Sequence, residues 1–283
     1  MKKFYLLATA VAFGMTTWAQ VDTTDGLRPT TTEPEITPQT TTTQNDNQKY
    51  RKSVAVKFSP AGLVFGKLQF GGEFNYKRKR SLTFYAGIPM ETGIPSKLKE
   101  YMFEEEDDVS LTVSSFKLKT MSAMVGYRMY MGKKDMTGFY FEPYIKYVDN
   151  KITGSYNAEF DDPVLGSYTN PVLLTSEYSG FGIGAQLGVQ FMIAKRVVFD
   201  LYLLGPEANM SKQNTILKDL GAVPWTADHA QQMEDELSSR VKDIPLVGEK
   251  IDVKVDANDK TATGSYSGFL PGFRGGISVG IRF

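Results

Sequence analysis

The sequence of 283 residues predicts an all-β fold, an eight-stranded antiparallel transmembrane β-barrel with long outer loops, one of which carries a short helix. The N-terminus has the pattern of an export signal. Two-residue alternation between apolar and small or polar side chains recurs eight times after it. The connections between these alternating segments differ systematically in length, which is the third observation behind the prediction.

The N-terminal residues follow the order that a signal peptide requires. Lys2 and Lys3 precede a short apolar run at residues 4–15, and the small residues Thr17 and Ala19 lead to a cleavage position after Ala19. A retained membrane anchor would need about 20 continuous apolar residues, which is more than this run provides. Residues 1–19 are therefore predicted to be a cleaved signal peptide that exports the chain.

Residues 20–50 consist mainly of Thr, Pro, Gln, Asn and Asp, with very few large apolar side chains. Such a segment cannot bury enough surface to offset the entropy lost on ordering. The sequence therefore predicts a disordered Thr/Pro-rich linker at residues 20–50, followed by a barrel domain at residues 51–283.

The alternation is clearest at residues 181–191, where Phe181, Ile183 and Leu187 share one face and glycine and glutamine fill the other. The same pattern predicts strands at residues 53–58, 67–76, 82–86, 121–130, 139–147, 181–191, 197–203 and 269–283. Periodicity alone does not show whether the apolar face meets lipid or a soluble core.

The lengths of the connections favour a membrane barrel over a soluble fold. Tight turns near residues 78–80, 132–135 and 194–196 alternate with long polar connections near residues 88–111, 150–177 and 205–263, and the short first connection is the exception. Short turns at one end and long outer loops at the other are typical of outer-membrane barrels. A soluble β-sandwich is the alternative, but its solvated face would carry many charges. Here that face is rich in Gly, Ser, Tyr and Gln, as a narrow lumen requires.

Composition excludes several classes of function. The chain has no cysteine, so lipoprotein acylation, disulfides and thiolate chemistry are excluded. The formal net charge is zero and no long basic tract is present, so the sequence predicts no nucleic-acid partner.

Two stretches resemble known barrels. The ending GISVGIRF, with Phe283 as the terminal aromatic residue, resembles the C-terminal assembly signal of outer-membrane barrels, which implies recognition by the barrel assembly machinery. The runs MVGYRMYMG at residues 124–132 and GFYFEPY at residues 138–144 resemble an uncharacterised small outer-membrane barrel family of Bacteroidota. That resemblance implies a Gram-negative outer membrane and its lipid as surroundings, and no established activity. The long segment at residues 205–263 departs from that family.

Charged residues recur on the predicted inward face. The predicted lumen network consists of Glu73, Arg128, Glu142, Lys146, Asp200 and Arg274, and Lys57, Lys67 and Arg282 share that face. These charges fit a gated ion path, catalytic carboxylates or a structural plug of ion pairs. An eight-stranded lumen is just wide enough to be filled by side chains, which favours the plug.

Other motifs predict no catalytic residue, cofactor or metal site. The glycines at residues 180–184 fit a dinucleotide fingerprint, but the alternation continues through them where a helix is required. The acidic run at residues 104–108 fits either a divalent-cation site or a solvated loop tip. His229, the single histidine, lies far from the predicted lumen, which argues against an enzyme.

The segment at residues 205–263 contains a helix pattern. Thr226 is the predicted N-cap, and Ala230, Met233, Leu237 and Val241 form one apolar stripe at helical spacing. The rest of the loop or the barrel mouth covers this stripe in one interpretation, and a protein or glycan partner covers it in the other.

The sequence therefore predicts a non-enzymatic outer-membrane barrel with a structural or surface-interaction role through its long external loops. The alternatives are a conduit for a small ligand or ion, and a lipid-modifying or proteolytic outer-membrane enzyme.

Overall fold

The computed structural model describes residues 52–93, 111–132, 134–162 and 166–283. The predicted signal peptide, the predicted linker and the acidic run at residues 104–108 lie outside these residues. Within them, no helix has the length and apolar character needed to cross a membrane.

Nine strands and two α-helices make up the described chain. In order they are β1 (Ser53–Ser59), α1 (Ala61–Val64), β2 (Lys67–Lys77), β3 (Arg80–Pro89), β4 (Leu111–Tyr130), β5 (Gly138–Asp162), β6 (Gly166–Ile193), β7 (Val197–Asp219), α2 (Ala227–Lys242), β8 (Ile251–Asp256) and β9 (Thr261–Arg282), with a 3₁₀ turn at Gly248–Lys250. The sheet order is β1-β2-β3-β4-β5-β6-β7-β9-β8, all pairs are antiparallel, and β1 also pairs with β9. Strands β1–β7 and β9 thus close an eight-stranded barrel, and the predicted fold class is confirmed.

The register around the ring resembles that of a tilted barrel. Lys57 pairs with Gly280 of β9. The successive cross-strand partners of Lys57 can also be followed in the opposite direction, from β2 through to β7. This path reaches β9 at Leu270, which is ten residues from Gly280. For eight strands, this offset corresponds to a strand tilt of about 40°, within the usual range for closed barrels.

The outer face of the barrel changes from apolar to polar along one row of paired residues. The last apolar side chains are mutual cross-strand partners, namely Tyr147, Phe181, Met210 and Phe269. The next outward residues on the same strands are also mutual partners, namely Asp149, Ser179, Lys212 and Ser267. The outward surface between this row and the end of the barrel at Phe283 carries the apolar side chains. We call this surface the apolar band.

Beyond the apolar band the strands continue as what we call the upper sheet, built from the outer parts of β4–β7 and β9 together with β8. Here Ile152, Leu174 and Leu217 point inward and are buried, whereas Lys151 and Glu177 are exposed on the outside. The connection predicted at residues 150–177 is therefore largely strand, and the one predicted at residues 205–263 is strand over residues 205–219, 251–256 and 261–263. The two-residue period persists in them, but the apolar face changes from outside to inside, so these segments lack the outward apolar face that marked the predicted strands.

Helix α2 packs against the inner face of the upper sheet. The Thr226 hydroxyl accepts a hydrogen bond from the His229 N–H at 3.2 Å, which makes Thr226 the N-cap as predicted. The apolar stripe of α2 is buried, and Met233 and Leu237 join one cluster with Tyr156 and Leu174. The protein's own sheet therefore covers the stripe.

The barrel wall is uneven in height. Strands β1, β2 and β3 have 7, 11 and 10 residues, whereas β4–β7 have 20 to 28. The low part of the wall ends at α1 and Gly66, which has a φ of 65° and begins the return into β2. The Gly66 carbonyl accepts hydrogen bonds from the N–H groups of Met90 and Thr120, both at 2.9 Å. This one residue therefore links the low rim to β3 and β4.

Replacing Gly66 with alanine is expected to destabilise the barrel by about 1–3 kcal/mol, because an L-residue is strained at this φ. The added Cβ would also lie 2.8 Å from the Leu118 carbonyl carbon. The measurement is the temperature at which the band of the folded, unboiled protein disappears from a gel. We call this band the folded band. Gly72→Ala is the matched control, since its Cβ would meet no atom within 4 Å. Equal melting of the two variants would contradict this role of Gly66.

Candidate functional site in the barrel interior

The centre of the lumen is occupied by Arg128, which β4 directs inward. Its Nη2 lies 2.6 Å from Glu142 Oε2 and its Nη1 lies 2.7 Å from Asp200 Oδ2. The guanidinium also stacks on the Tyr140 ring, 3.7 Å from the ring centroid. A planar five-donor group can bind two carboxylates and a ring at once, which a lysine cannot do.

Lys57 of β1 completes this group of charges. Its Nζ lies 2.5 Å from Glu73 Oε2 and 2.8 Å from Asp200 Oδ2. We call Lys57, Glu73, Arg128, Glu142 and Asp200 the lower cluster. The exposed fraction of all five side chains is 0%, so each charge depends on its partners rather than on water.

Neutral side chains also form hydrogen bonds with the lower cluster. The Tyr130 hydroxyl donates to Glu73 at 2.6 Å, and the Tyr140 hydroxyl donates to Asp200 at 2.7 Å. Gln190 Oε1 accepts from both Lys57 and Arg128, at 2.6 and 2.8 Å, while Gln190 Nε2 donates to the Met136 carbonyl at 2.9 Å. Thr83 donates to Glu142. Such dense pairing is the condition under which buried charges are tolerated.

The lumen is also filled at its turn end by an apolar floor. Ala55, Met136 and Val198 are fully buried there, against Tyr130 and Tyr140. The lower cluster and this floor together fill the barrel in cross-section, as the width of an eight-stranded barrel allows.

A second group of charges lies nearer the upper sheet. We call Lys67, Lys146, Glu207 and Arg274 the upper cluster. Lys146 pairs with Glu207, which also accepts a hydrogen bond from Tyr144 at 2.8 Å. Lys67 donates to Ser122 at 3.1 Å and is within electrostatic reach of Arg274.

Arg274 sits among aromatic rings rather than carboxylates. Its guanidinium lies 5.6, 5.5 and 4.9 Å from the ring centroids of Tyr85, Tyr144 and Tyr202. Its Nε and Nη2 atoms are out of contact with solvent and have no hydrogen-bond acceptor in the described part of the chain. Arg274 is therefore a cation with unused donors.

The structure thus divides the predicted network in two. Glu73, Arg128, Glu142 and Asp200 meet in the lower cluster, whereas Lys146 and Arg274 belong to the upper cluster. The predicted set left out Lys57 and Glu207. The alternation of residues in β1 already placed Lys57 on the inward face. Glu207 lies in a segment that was predicted to be a loop, so no pattern pointed to it.

The remaining sequence motifs occupy ordinary positions. Residues 180–185 continue β6 in unbroken pairing with β5, without the turn and helix that a dinucleotide site needs. His229 is partly exposed in the first turn of α2. Phe283 is 77% exposed at the end of the apolar band, and its backbone pairs with Val54. Among the described residues, no three His, Cys, Asp or Glu side chains are placed so that they could hold a metal ion together.

Two solved structures are similar to this chain. The major outer membrane protein from Thermus thermophilus is 10% identical, with 82% of this chain and 98% of that chain covered and a TM-score of 0.34. Acinetobacter baumannii CarO2 is 9% identical, with the same coverage and a TM-score of 0.39. No protein-family model and no curated protein matches the sequence.

Proposed function

We propose that the protein is a non-enzymatic barrel of a Gram-negative outer membrane that holds the upper sheet and α2 at the cell surface, in a structural or surface-interaction role. The apolar band carries this proposal. Large apolar side chains such as Phe84, Phe181 and Phe273 are about half exposed on the outside. On β6 the band covers residues 181–193, and a tilted membrane strand needs about 9–11 residues. Outer-membrane lipid would cover this surface.

The difference in structure between the two ends of the barrel supports the orientation. One end of the barrel consists of tight turns, and the other carries the large upper sheet with its polar outer face. Short turns on the periplasmic side and long extensions outside are usual for such barrels. In this orientation Phe283 ends β9 at the periplasmic side, where the barrel assembly machinery would read it.

A binding surface for a protein or glycan partner at residues 205–263 fits the outer face of the upper sheet. An open cavity of about 610 Å³ lies next to the apolar band, and its lining includes Lys212, Asn214 and Asp252. These are hydrogen-bonding and charged side chains, which suit a polar partner. The cavity is the feature of that segment that a partner would recognise.

Cysteine labelling of intact cells tests location and orientation. Asn258→Cys, in the turn between β8 and β9, is expected to react with a membrane-impermeant maleimide, because this end faces outward. Arg196→Cys, in the turn between β6 and β7, is expected to react only after the outer membrane is permeabilised. The chain has no natural cysteine to compete. No labelling of either variant on intact cells would overturn the location, and the reverse pattern would overturn the orientation.

Planar-bilayer recording separates this function from a conduit. The lower cluster and the apolar floor fill the lumen, so the purified barrel is expected to give no steady single-channel current. A reproducible ion current from the folded protein would favour the conduit instead.

A further inference from the structure

One edge of β9 is only partly paired. Val54 and Phe283 exchange backbone hydrogen bonds of 3.3 and 2.8 Å, which shows that the odd-numbered residues of β9 direct their N–H and C=O groups toward this edge. Strand β1 covers the edge from Val279 to Arg282, and β8 covers it from Thr261 to Tyr266. Between them, residues 267–278 have no strand partner on that side within the described ranges.

The unpaired stretch lies at the level of the apolar band. Phe269, Phe273 and Ile277 point outward from it and are 40 to 49% exposed. On the opposite side of the opening stands the low rim, where Leu63 and Phe65 of the α1 turn are also exposed. Helix α1 lies against β9 at the base of the opening. The wall therefore has a lateral opening with apolar lips.

An open strand edge is costly in hydrocarbon, because each unsatisfied backbone group loses several kcal/mol there. Pro271 falls at an odd-numbered position of this stretch and has no N–H to leave unsatisfied, a usual feature of free edges. Tyr266 donates its hydroxyl hydrogen to the Phe269 carbonyl at 2.5 Å. Pro271 and Tyr266 therefore reduce the number of unsatisfied backbone groups at the open edge.

The upper cluster lies directly behind the opening. Lys67 is the first residue of β2 at the low rim, and Arg274 lies in the middle of the unpaired stretch, so the two cations flank the opening from inside. The upper cluster holds three cations and one carboxylate, and the lower cluster holds two cations and three carboxylates. The two clusters together keep one positive charge in excess. Neither Arg274 nor Lys67 has a carboxylate within 4.0 Å among the described residues.

We propose that the opening admits a single-chain amphiphile with an anionic head group. The head group binds Arg274 and Lys67 inside the barrel, and the chain leaves between α1 and β9 into the outer leaflet. A carboxylate or phosphate supplies the acceptors that Arg274 Nε and Nη2 lack, with the bidentate geometry that guanidinium favours. An apolar chain fits the lips on either side. This proposal rests on the proposed membrane location.

Binding is measured with the full mature protein in phosphatidylcholine vesicles, using the fluorescent 18-carbon carboxylate cis-parinarate as the probe. Arg274→Gln is expected to weaken binding roughly tenfold or more, and Lys67→Gln about threefold, since each loses a charged hydrogen bond. Lys77→Gln removes the same charge from the exposed turn end of β2, the strand that also carries Lys67, and is expected to change affinity less than about twofold. The methyl ester of the probe, which has no anionic head group, is expected not to bind.

Competition identifies the head group. Displacement of the probe by oleate alone, by dodecyl phosphate alone or by both supports the proposal and assigns the carboxylate or phosphate source. Acetate and inorganic phosphate, which have no chain, are expected not to displace it. Equal affinity of Arg274→Gln and Lys77→Gln, or equal binding of the methyl ester, would overturn the proposal.

The path of the chain is tested with tryptophan as a reporter. Phe273→Trp lies on the unpaired stretch, and Tyr147→Trp faces lipid on β5, away from the opening. A fatty acid that carries a nitroxide on its chain is expected to quench Phe273→Trp at concentrations that leave Tyr147→Trp bright, and Trp225 contributes equally to both. Equal quenching, or a dimer formed through the free edge, would exclude this path. All samples must first show the folded band on gels and the cell labelling described above, so that failure of the membrane location is recognised separately.

Discussion

Replacing Arg128 with leucine is expected to lower the free energy of unfolding by about 3–5 kcal/mol, because Glu142 and Asp200 would remain buried without their main partner. Both carboxylates have an exposed side-chain fraction of 0% and cannot recover hydration without opening the barrel. The readout is urea unfolding of the reconstituted protein, followed by tryptophan fluorescence and by the folded band on gels. Arg196→Leu, at an exposed turn position, is the matched control and should unfold like the parent.

Arg128→Lys refines this result. It keeps the charge but loses the planar fork that binds Glu142 and Asp200 together and stacks on Tyr140. It is expected to fall between the parent and Arg128→Leu. If Arg128→Leu instead unfolds at the same urea concentration as Arg196→Leu, the lower cluster is not a buried, partner-dependent network.

Introducing a charge into the upper core is expected to detach α2. Leu237 is 3% exposed and packs in the cluster with Met233, Tyr156 and Leu174. Leu237→Asp loses that burial and places an unpaired carboxylate against apolar side chains, at a cost of about 3–5 kcal/mol. The expected result is rapid proteolysis between β7 and β9 on intact cells, while the barrel keeps its folded band on gels.

Ser239→Asp is the control for this change, since it adds the same charge to an exposed position of the same helix. It should leave proteolysis unchanged. Loss of the folded band in Leu237→Asp would show that the upper sheet and the barrel unfold as one unit. Unchanged proteolysis would show that α2 does not depend on this core.

The strands of the apolar band were predictable because one face of each is apolar and the other small or polar. Phe181, Leu187 and Phe191 show this on β6, and the structure places all three outside. The upper sheet was missed because the same period continues with the faces exchanged, so that Ile152 and Leu174 are inside and Lys151 is outside. Alternation predicts a strand, but only contact with lipid or with α2 decides which face is buried.

The site was predictable only as a set of inward positions. Alternation puts Glu73, Arg128, Lys146 and Arg274 on one face, but their height in the barrel depends on the register of every pair between them. That register places Arg274 beside Tyr202 rather than beside a carboxylate. The lateral opening depends on where β1 ends relative to β9, and no local pattern encodes that relation.

The contact between β1 and β9 has a mechanical consequence. Four residue pairs, together with the Val54–Phe283 hydrogen bonds, join these strands, whereas 25 residues of β5 are paired with β6. A ring under tension parts at its shortest seam, and the first and last strands, next to both ends of the described chain, meet at this seam. Backbone amides of Val56 and Ile281 should therefore exchange with solvent sooner than those deep in β5. A force applied between the two ends would unroll the barrel from that line, strand by strand, and would separate Lys57 of β1 from Asp200 of β7 early.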